Sequence, residues 1–240
     1  MKKEEFCRKI KNSAEKIEIK LNEKQQEEFW KYMNLLLEWN EKINLTAITN
    51  PEEVITKHFI DCLTILKYIK EDDTIIDIGT GAGFPGMPLK IAKETIKVTL
   101  VDSLNKRINF LNDVIEKLQL NNIEAIHSRA EEFGKNRLNR EKYDVATSRA
   151  VARLNILVEY LLPTVKVGGK CICMKGPDSE EEINEAKHAI EQLGGKISSI
   201  KEFTLPDTDI KRTIIIIDKI KNTPAKFPRK AGLPSKDPLK

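Results

Sequence analysis

Aromatic residues make up only 6% of this 240-residue sequence, and it has just four cysteines and three histidines. Cys7, Cys62, Cys171 and Cys173 are too few and too scattered for a disulfide scaffold, which points to a reducing, cytoplasmic setting. No apolar run approaches the roughly 18 residues a membrane helix needs, so a membrane-spanning chain is not expected. The start, Met1-Lys2-Lys3-Glu4-Glu5, is charged and leads into no apolar stretch, unlike a secretory leader. Internal repeats and low-complexity tracts are missing as well. What is present, 40% hydrophobic and 32% charged residues, suffices for a packed core and excludes a disordered chain. At about 100–200 residues per domain, the length allows one large domain, or one domain with a helical annex.

The formal net charge is +4, and it is unevenly spread. In residues 221–240, Lys221, Lys226, Arg229, Lys230, Lys236 and Lys240 face a single acid, Asp237, so this tail carries +5 and the rest of the chain about −1. A solvated basic tail is the plain reading, and a phosphate-contacting arm the sharper one. Pro224, Pro228, Pro234 and Pro238 predict an extended, irregular course there.

The first seventy residues read as helices. Asn22 and Gln25 have the spacing of a capping box. Phe29, Met33, Leu36, Leu37 and Ile43 then recur at helical intervals, and Pro51 opens a further helical stretch through Ile55, Phe59, Leu63 and Leu66. From Thr74 the texture changes. Strands are predicted at 75–78, 97–101, 123–126, 143–147 and 170–174, with helices at 104–118, 154–162 and 179–193. Alternating strands and helices imply parallel βαβ units with helices on both faces. The stretches 196–205 and 213–220 read as two more strands, and the seven residues between them are too few for a crossover, so this last pair is predicted antiparallel. The division expected is a helical extension over 1–70, an α/β domain over 71–220 and a basic tail over 221–240.

Between the first strand and the next helix runs Asp77-Ile78-Gly79-Thr80-Gly81-Ala82-Gly83-Phe84-Pro85-Gly86. Glycines allow sharp turns and close ligand approach, and the loop lies outside the carboxyl end of a strand, where doubly wound sheets bind ligands. Asp102, at the end of the second strand, is placed to accept the ribose hydroxyls of an adenosine. Two cofactors fit. Gly81-x-Gly83-x-x-Gly86 formally matches a dinucleotide fingerprint, but it starts two residues late, and Pro85 stands where N–H groups should meet a pyrophosphate. Asp77-x-Gly79-x-Gly81-x-Gly83 better matches the loop of S-adenosylmethionine-dependent methyltransferases. Cys171 and Cys173 alternate on one strand with no partner pair elsewhere, so they read as core residues rather than a metal site.

Further segments narrow the reading: Asn44–Ile48, Lys57-His58-Phe59-Ile60-Asp61, Asp102–Arg107, Ser128–Glu132, Thr147-Ser148-Arg149-Ala150-Val151-Ala152, Met174-Lys175-Gly176 and Pro228-Arg229-Lys230-Ala231-Gly232. With the glycine loop and its Phe84-Pro85-Gly86 extension, they resemble the bacterial small-subunit ribosomal RNA (guanine-N7)-methyltransferases, formerly called glucose-inhibited division protein B. The resemblance covers almost the whole chain. It implies a Rossmann-like, seven-stranded methyltransferase sheet with an N-terminal helical extension, S-adenosylmethionine as cofactor, and methylation of a guanine in the 530-loop region of 16S rRNA. The sequence shows no coiled-coil heptads and no obvious interface helix, so a monomer is expected. The resemblance implies cofactor contacts at Gly79 and Phe84, loop shaping by Gly81 and Gly83, a ribose acid at Asp102, and an adenine-side segment at Ala130 and Glu131. Arg149 matches an arginine at the cofactor–substrate junction and is the candidate catalytic residue. Lys106, Arg107, Arg129, Lys175, Arg229 and Lys230 are the expected RNA-facing cations, and His58 and Asp61 border the pocket.

Guanine N7 carries a lone pair and no hydrogen, so its methylation needs no base. Arg149 is expected to hold the guanine through phosphate or O6, since a bond to N7 would block the nucleophile. No Asn/Asp-Pro-Pro-Tyr/Phe follows the fourth strand, which disfavours exocyclic amine methylation, and no cysteine is placed to attack a pyrimidine. The other readings open at this point are an NAD-dependent oxidoreductase, a small-molecule methyltransferase and a non-enzymatic RNA-binding module.

Overall fold

The computed structural model describes residues 1–177 and 179–239; of the basic tail residues, Lys240 lies outside this range. Two helices open the chain, α1 (Lys3–Glu15) and α2 (Glu23–Asn40). The capping box at α2 forms in both directions, Asn22 Oδ1 accepting from Gln25 N and Gln25 Oε1 from Asn22 N, each at 2.9 Å. Asn50 caps α3 (Pro51–Val54), with Pro51 in its first turn. The stretch predicted as one regular helix then departs from that expectation. Ile55–Ile60 winds as a π-helix, α4 (Asp61–Leu63) is a short α-turn, and a 3-10 turn ends at Tyr68. Spacing alone does not separate the two windings, because one extra residue per turn leaves the apolar residues on one face.

The α/β part runs β1 (Thr74–Ile78), α5 (Gly86–Ala92), β2 (Lys97–Asp102), α6 (Asn105–Lys117), β3 (Ile123–His127), α7 (Ala130–Lys135), β4 (Tyr143–Arg149), α8 (Leu154–Leu161), β5 (Val165–Lys175), α9 (Glu180–Gln192), β6 (Gly195–Thr204) and β7 (Lys211–Lys219). The strands form one sheet in the order β3-β2-β1-β4-β5-β7-β6. The first five are parallel; β7 lies between β5 and β6, antiparallel to both. The predicted closing hairpin is therefore present.

Both faces of the sheet are buried, so the central strands are apolar at consecutive positions. On β7, Ile214 and Ile216 enter one core and Ile215 and Ile217 the other. On β5, Ile172 and Met174 join the first core, while Cys171 and Cys173, both fully buried, join the second. The first core also takes Phe6, Phe29, Tyr32, Met33 and Phe59, so the N-terminal helices cover one face of the sheet. The tail is irregular apart from α10 (Leu233–Lys236), as its prolines predict, but it does not hang free. Arg140 donates from Nη1 to Phe227 O at 2.7 Å and from Nη2 to Thr223 O at 2.6 Å, fastening it to the body. No helix among the described residues is long and apolar enough to cross a membrane.

Candidate active site

The glycine loop leaves β1 at the carboxyl edge of the sheet. Asp77 is fully buried on the helical side, where Oδ2 accepts from Thr80 Oγ1 at 2.7 Å and from Gly86 N at 2.9 Å. Burial pushes its carboxyl up to about 6, against the lowering pull of those two bonds. The N-terminal N–H of α5 is thus already taken by a carboxylate. A pyrophosphate cradle needs that N–H free, so the geometry argues against the dinucleotide reading.

Gly79 lies at φ +70°, and a Cβ there would stand 2.5 Å from Val151 Cγ2. Gly83 lies at φ +97°, pressed against the Tyr32 hydroxyl, which donates to Ala82 O. Both positions require glycine, for conformation and for space.

A cleft of about 350 Å³ opens beside the loop, within the roughly 300–1,000 Å³ usual for small-molecule sites. Gly79, Asp102, Ala130 and Glu131 line it, as do Arg107 and Arg129. Asp102 Oδ2 accepts from Gly81 N at 3.0 Å and Oδ1 from Leu104 N at 2.9 Å, which aims the carboxylate across the loop. Arg107 Nη1 reaches the same group at 3.1 and 3.5 Å.

Arg149 sits at the end of β4, immediately before Ala150 and Val151 of the cleft wall. Its own side chain turns into a buried polar network. Nη1 donates to Lys57 O at 3.0 Å and to Asp61 Oδ2 at 3.1 Å, Nη2 meets His58 Nδ1 at 3.0 Å, and the guanidinium lies 4.8 Å over the Phe84 ring. His58 stacks on that ring with centroids 4.4 Å apart, and its Nε2 is 2.9 Å from Thr46 Oγ1. Burial and the Arg149 charge push the imidazole down to about 3, so it is neutral. Since Nδ1 faces a donor, the proton sits on Nε2 and is given to Thr46. The other Asp61 oxygen accepts from Arg212 Nε on β7 at 3.1 Å. The π-helix and the start of α4 thus bring His58 and Asp61 onto Arg149.

A family model described as GidB, rRNA small subunit methyltransferase G, matches residues 25–214. The chain belongs to this family. It is 54% identical over 232 residues to ribosomal RNA small subunit methyltransferase G of Desulforamulus reducens, covering 96% of this chain and 97% of that one. With the namesake protein of Alkaliphilus metalliredigens it shares 52% over 233 residues, covering 96% and 98%. Among solved structures, TYW2 of M. jannaschii in complex with AdoMet superposes with a TM-score of 0.54 at 14% identity, over 67% of this chain and 75% of that one, a likeness of fold.

The cofactor of the methyltransferase G family is S-adenosylmethionine, and the cleft residues suit it. A Cβ built on Gly81 meets nothing within 4 Å, so the loop has room for a ligand on that side. A carboxylate offers about four acceptor positions; Asp102 uses one on Gly81 N and one on Leu104 N, and the other two face Arg107 Nη1 at 3.1 and 3.5 Å, the places a ribose diol would take over as that side chain swings aside.

The structure groups the sequence-selected residues into two sets. Gly79, Asp102, Arg107, Arg129, Ala130 and Glu131 line the cleft. Phe84 and Arg149 join His58 and Asp61 in the network beside it; neither they nor Gly81 and Gly83, which shape the loop, are on its wall. Lys106 and Lys230 are exposed. Lys175 is turned inward, donating to Ala152 O at 2.6 Å and to Glu182 Oε1 at 2.5 Å. Arg229 is paired with the fully buried Glu159, Nη2 to Oε2 at 2.8 Å, so its charge is answered inside the protein. Sequence reasoning missed Tyr32, Thr46, Tyr160 and Arg212. Tyr32 falls on the Phe29–Met33–Leu36 face and reads as plain core; nothing local marks its hydroxyl as the support of the loop.

Proposed function

We propose that this chain transfers the methyl group of S-adenosylmethionine to N7 of one guanine in the 530-loop region of 16S rRNA. It acts in the cytoplasm, as a monomer, on the small ribosomal subunit or an assembly intermediate of it. The observation that carries this reading is the match to methyltransferase G proteins along nearly the whole chain.

The bound cofactor supplies an electrophilic methyl group. The residues of this chain have to bind, align and exclude water. Asp102 holds the ribose, Ala130 and Glu131 flank the adenine, and the glycine loop with Phe84 sets the position of the sulfonium end. Arg149 stands where β4 meets the cleft and orients the guanine through O6 or a phosphate. Its Nε–H and one Nη2–H remain for that task after the bonds to Lys57, Asp61 and His58.

The state of the candidate bases supports N7 over a nitrogen that must lose a proton. His58 is neutral with both ring nitrogens engaged, and Asp77 is buried behind the loop, away from the cleft wall. Lys106, Arg129 and Lys230 would face RNA phosphates. Arg107, Lys175 and Arg229 could join them only by giving up internal pairs.

The test is transfer of labelled methyl from S-adenosylmethionine to small subunits from a strain lacking this protein. The expected product is 16S rRNA that cleaves at one guanine after borohydride and aniline. Label on an exocyclic nitrogen, or on no RNA at all, would overturn the reading. Arg149→Lys, which keeps the charge but loses the fork, is expected to lower kcat at least about tenfold with S-adenosylhomocysteine binding less affected.

A further inference from the structure

We propose that the C-terminal segment 228–235 is a wall of the cofactor cleft, and that Arg229 is the positioning residue that sets it. The inference rests on the cofactor reading above. It starts from how completely the tail is fastened. Beyond the Arg140 bonds, Thr223 N donates to Glu141 Oε1 at 2.7 Å. At Arg229 the fastening becomes ionic. Glu159, on α8 and fully buried, accepts from Arg229 N at 2.7 Å, from Nε at 3.0 and 3.1 Å, and from Nη2 at 2.8 Å. A buried carboxylate without that partner would be strongly unfavourable, so the pair determines where the segment runs.

Three residues later the chain reaches the cleft. Even fully extended, three residues span only about 10 Å, so the ion pair confines residues 230–232 to the edge of the cavity. Gly232, at φ +81°, directs its N–H to Glu131 Oε1 at 2.7 Å. Ser235 Oγ meets the Tyr160 hydroxyl at 3.0 Å. Gly232, Ser235, Glu131 and Tyr160 all line the cleft. The segment therefore bridges α7 and α8 across the cavity and fixes one oxygen of Glu131, the residue proposed for the adenine side. Arg229 acts through Gly232 and Glu131 and does not face the cleft.

The full-length protein is titrated with S-adenosylhomocysteine by calorimetry, and amide exchange is followed over residues 228–236 with and without the ligand. The expected results are slower exchange in that segment on binding and a Kd raised about tenfold by Arg229→Gln, with Arg229→Lys in between. Tyr160→Phe keeps the ring and drops only the bond to Ser235. It is expected to raise Kd severalfold and the KM for the methyl donor in step, with the ligand-free melting temperature unchanged. This variant keeps the proposal testable if Arg229→Gln does not fold. Ligand binding that leaves exchange at 228–236 unaltered, with parental affinity in Tyr160→Phe, would reduce the tail to a structural brace and overturn the proposal. Failure of the parent protein itself to bind S-adenosylhomocysteine would instead overturn the functional reading, and this inference with it.

Discussion

At the scale of single residues, the site works by denying groups their freedom. His58 is expected from the sequence only to border the pocket. In the fold its ring is sandwiched against Phe84 with a guanidinium on one nitrogen and a threonine hydroxyl at the other. Its proton affinity drops from the ordinary 6.5 to about 3, through burial first and Arg149 second. Between those values the unfolded chain holds a proton that the folded one does not, so the contribution of His58 to stability is complete above 6.5 and is lost as the pH falls towards 3. Asp77, raised by burial from 3.8 to about 6, acts in the opposite sense and masks part of this slope in the parent protein. The difference in unfolding free energy between the parent and His58→Gln isolates the histidine. It is expected to grow as pH rises from about 4 to about 6.5, by up to about 1.4 kcal/mol per pH unit, and then level off. A flat difference in urea titrations across that range would mean that the imidazole is charged in the native state.

Gly79 makes the matching case for shape. Gly79→Ala meets both a left-handed backbone and Val151 Cγ2 at 2.5 Å, the latter on the wall of the cleft. The expected outcome is a loss of S-adenosylhomocysteine binding of at least about tenfold together with a fall in melting temperature. Gly81→Ala meets no neighbour and carries only the left-handed backbone at φ +61°, a cost of about 1–2 kcal/mol, so it should keep the fold at a lower melting temperature and weaken cofactor binding.

At the scale of elements, the stretch from Pro51 to Tyr68 carries the lesson about legibility. Its apolar spacing announces a helix facing the core, and Ile55, Phe59 and Leu63 do face it. The π-winding at Ile55–Ile60 was not legible: the contacts that accompany it, His58 with Arg149 91 positions along the chain and, just after it, Asp61 with Arg212 151 positions along, leave no trace in local spacing. The strands, the glycine loop and the capping box were legible because each is a local matter of period, chirality or an i to i+3 bond. The tail was legible as irregular but not as bound: Arg229 counts as a basic residue in any composition, and only the fold places Glu159 beneath it. Tyr32 is of the same kind. It ties α2 to the glycine loop through Ala82 O and stacks 5.4 Å from Phe59. Tyr32→Phe preserves the stack and removes the tie. It is expected to weaken S-adenosylhomocysteine binding severalfold while the near-ultraviolet dichroism stays native, since the loop, not the core, loses its support.

At the scale of the whole molecule, the first core runs without a break from Phe6 on α1 to Ile216 on β7. The helices of 1–70 are therefore expected to unfold with the sheet rather than before it. Both tryptophans lie on α2; Trp30 packs on Phe6 of α1, and Trp39 donates to Asp113 and packs on Phe110 of α6, so their fluorescence reports the helical layer and its seam with the sheet domain, whereas far-ultraviolet dichroism reports every element. In urea the two signals are expected to share one midpoint, and Asn22→Ala should lower both together by about 1 kcal/mol. An earlier fluorescence transition would make the layer a separate folding unit.

Asp61 joins that layer to β4 and β7, which stand on either side of β5, by giving one oxygen to Arg149 and the other to Arg212. With His58 neutral, a single negative charge serves two positive ones. Shortening this side chain to glycine would leave a pit the shape of a carboxylate, walled by two guanidinium groups. Formate or acetate added to the Asp61→Gly protein would fit that pit and take over both bonds, making this joint open to chemical rescue by the smallest of anions.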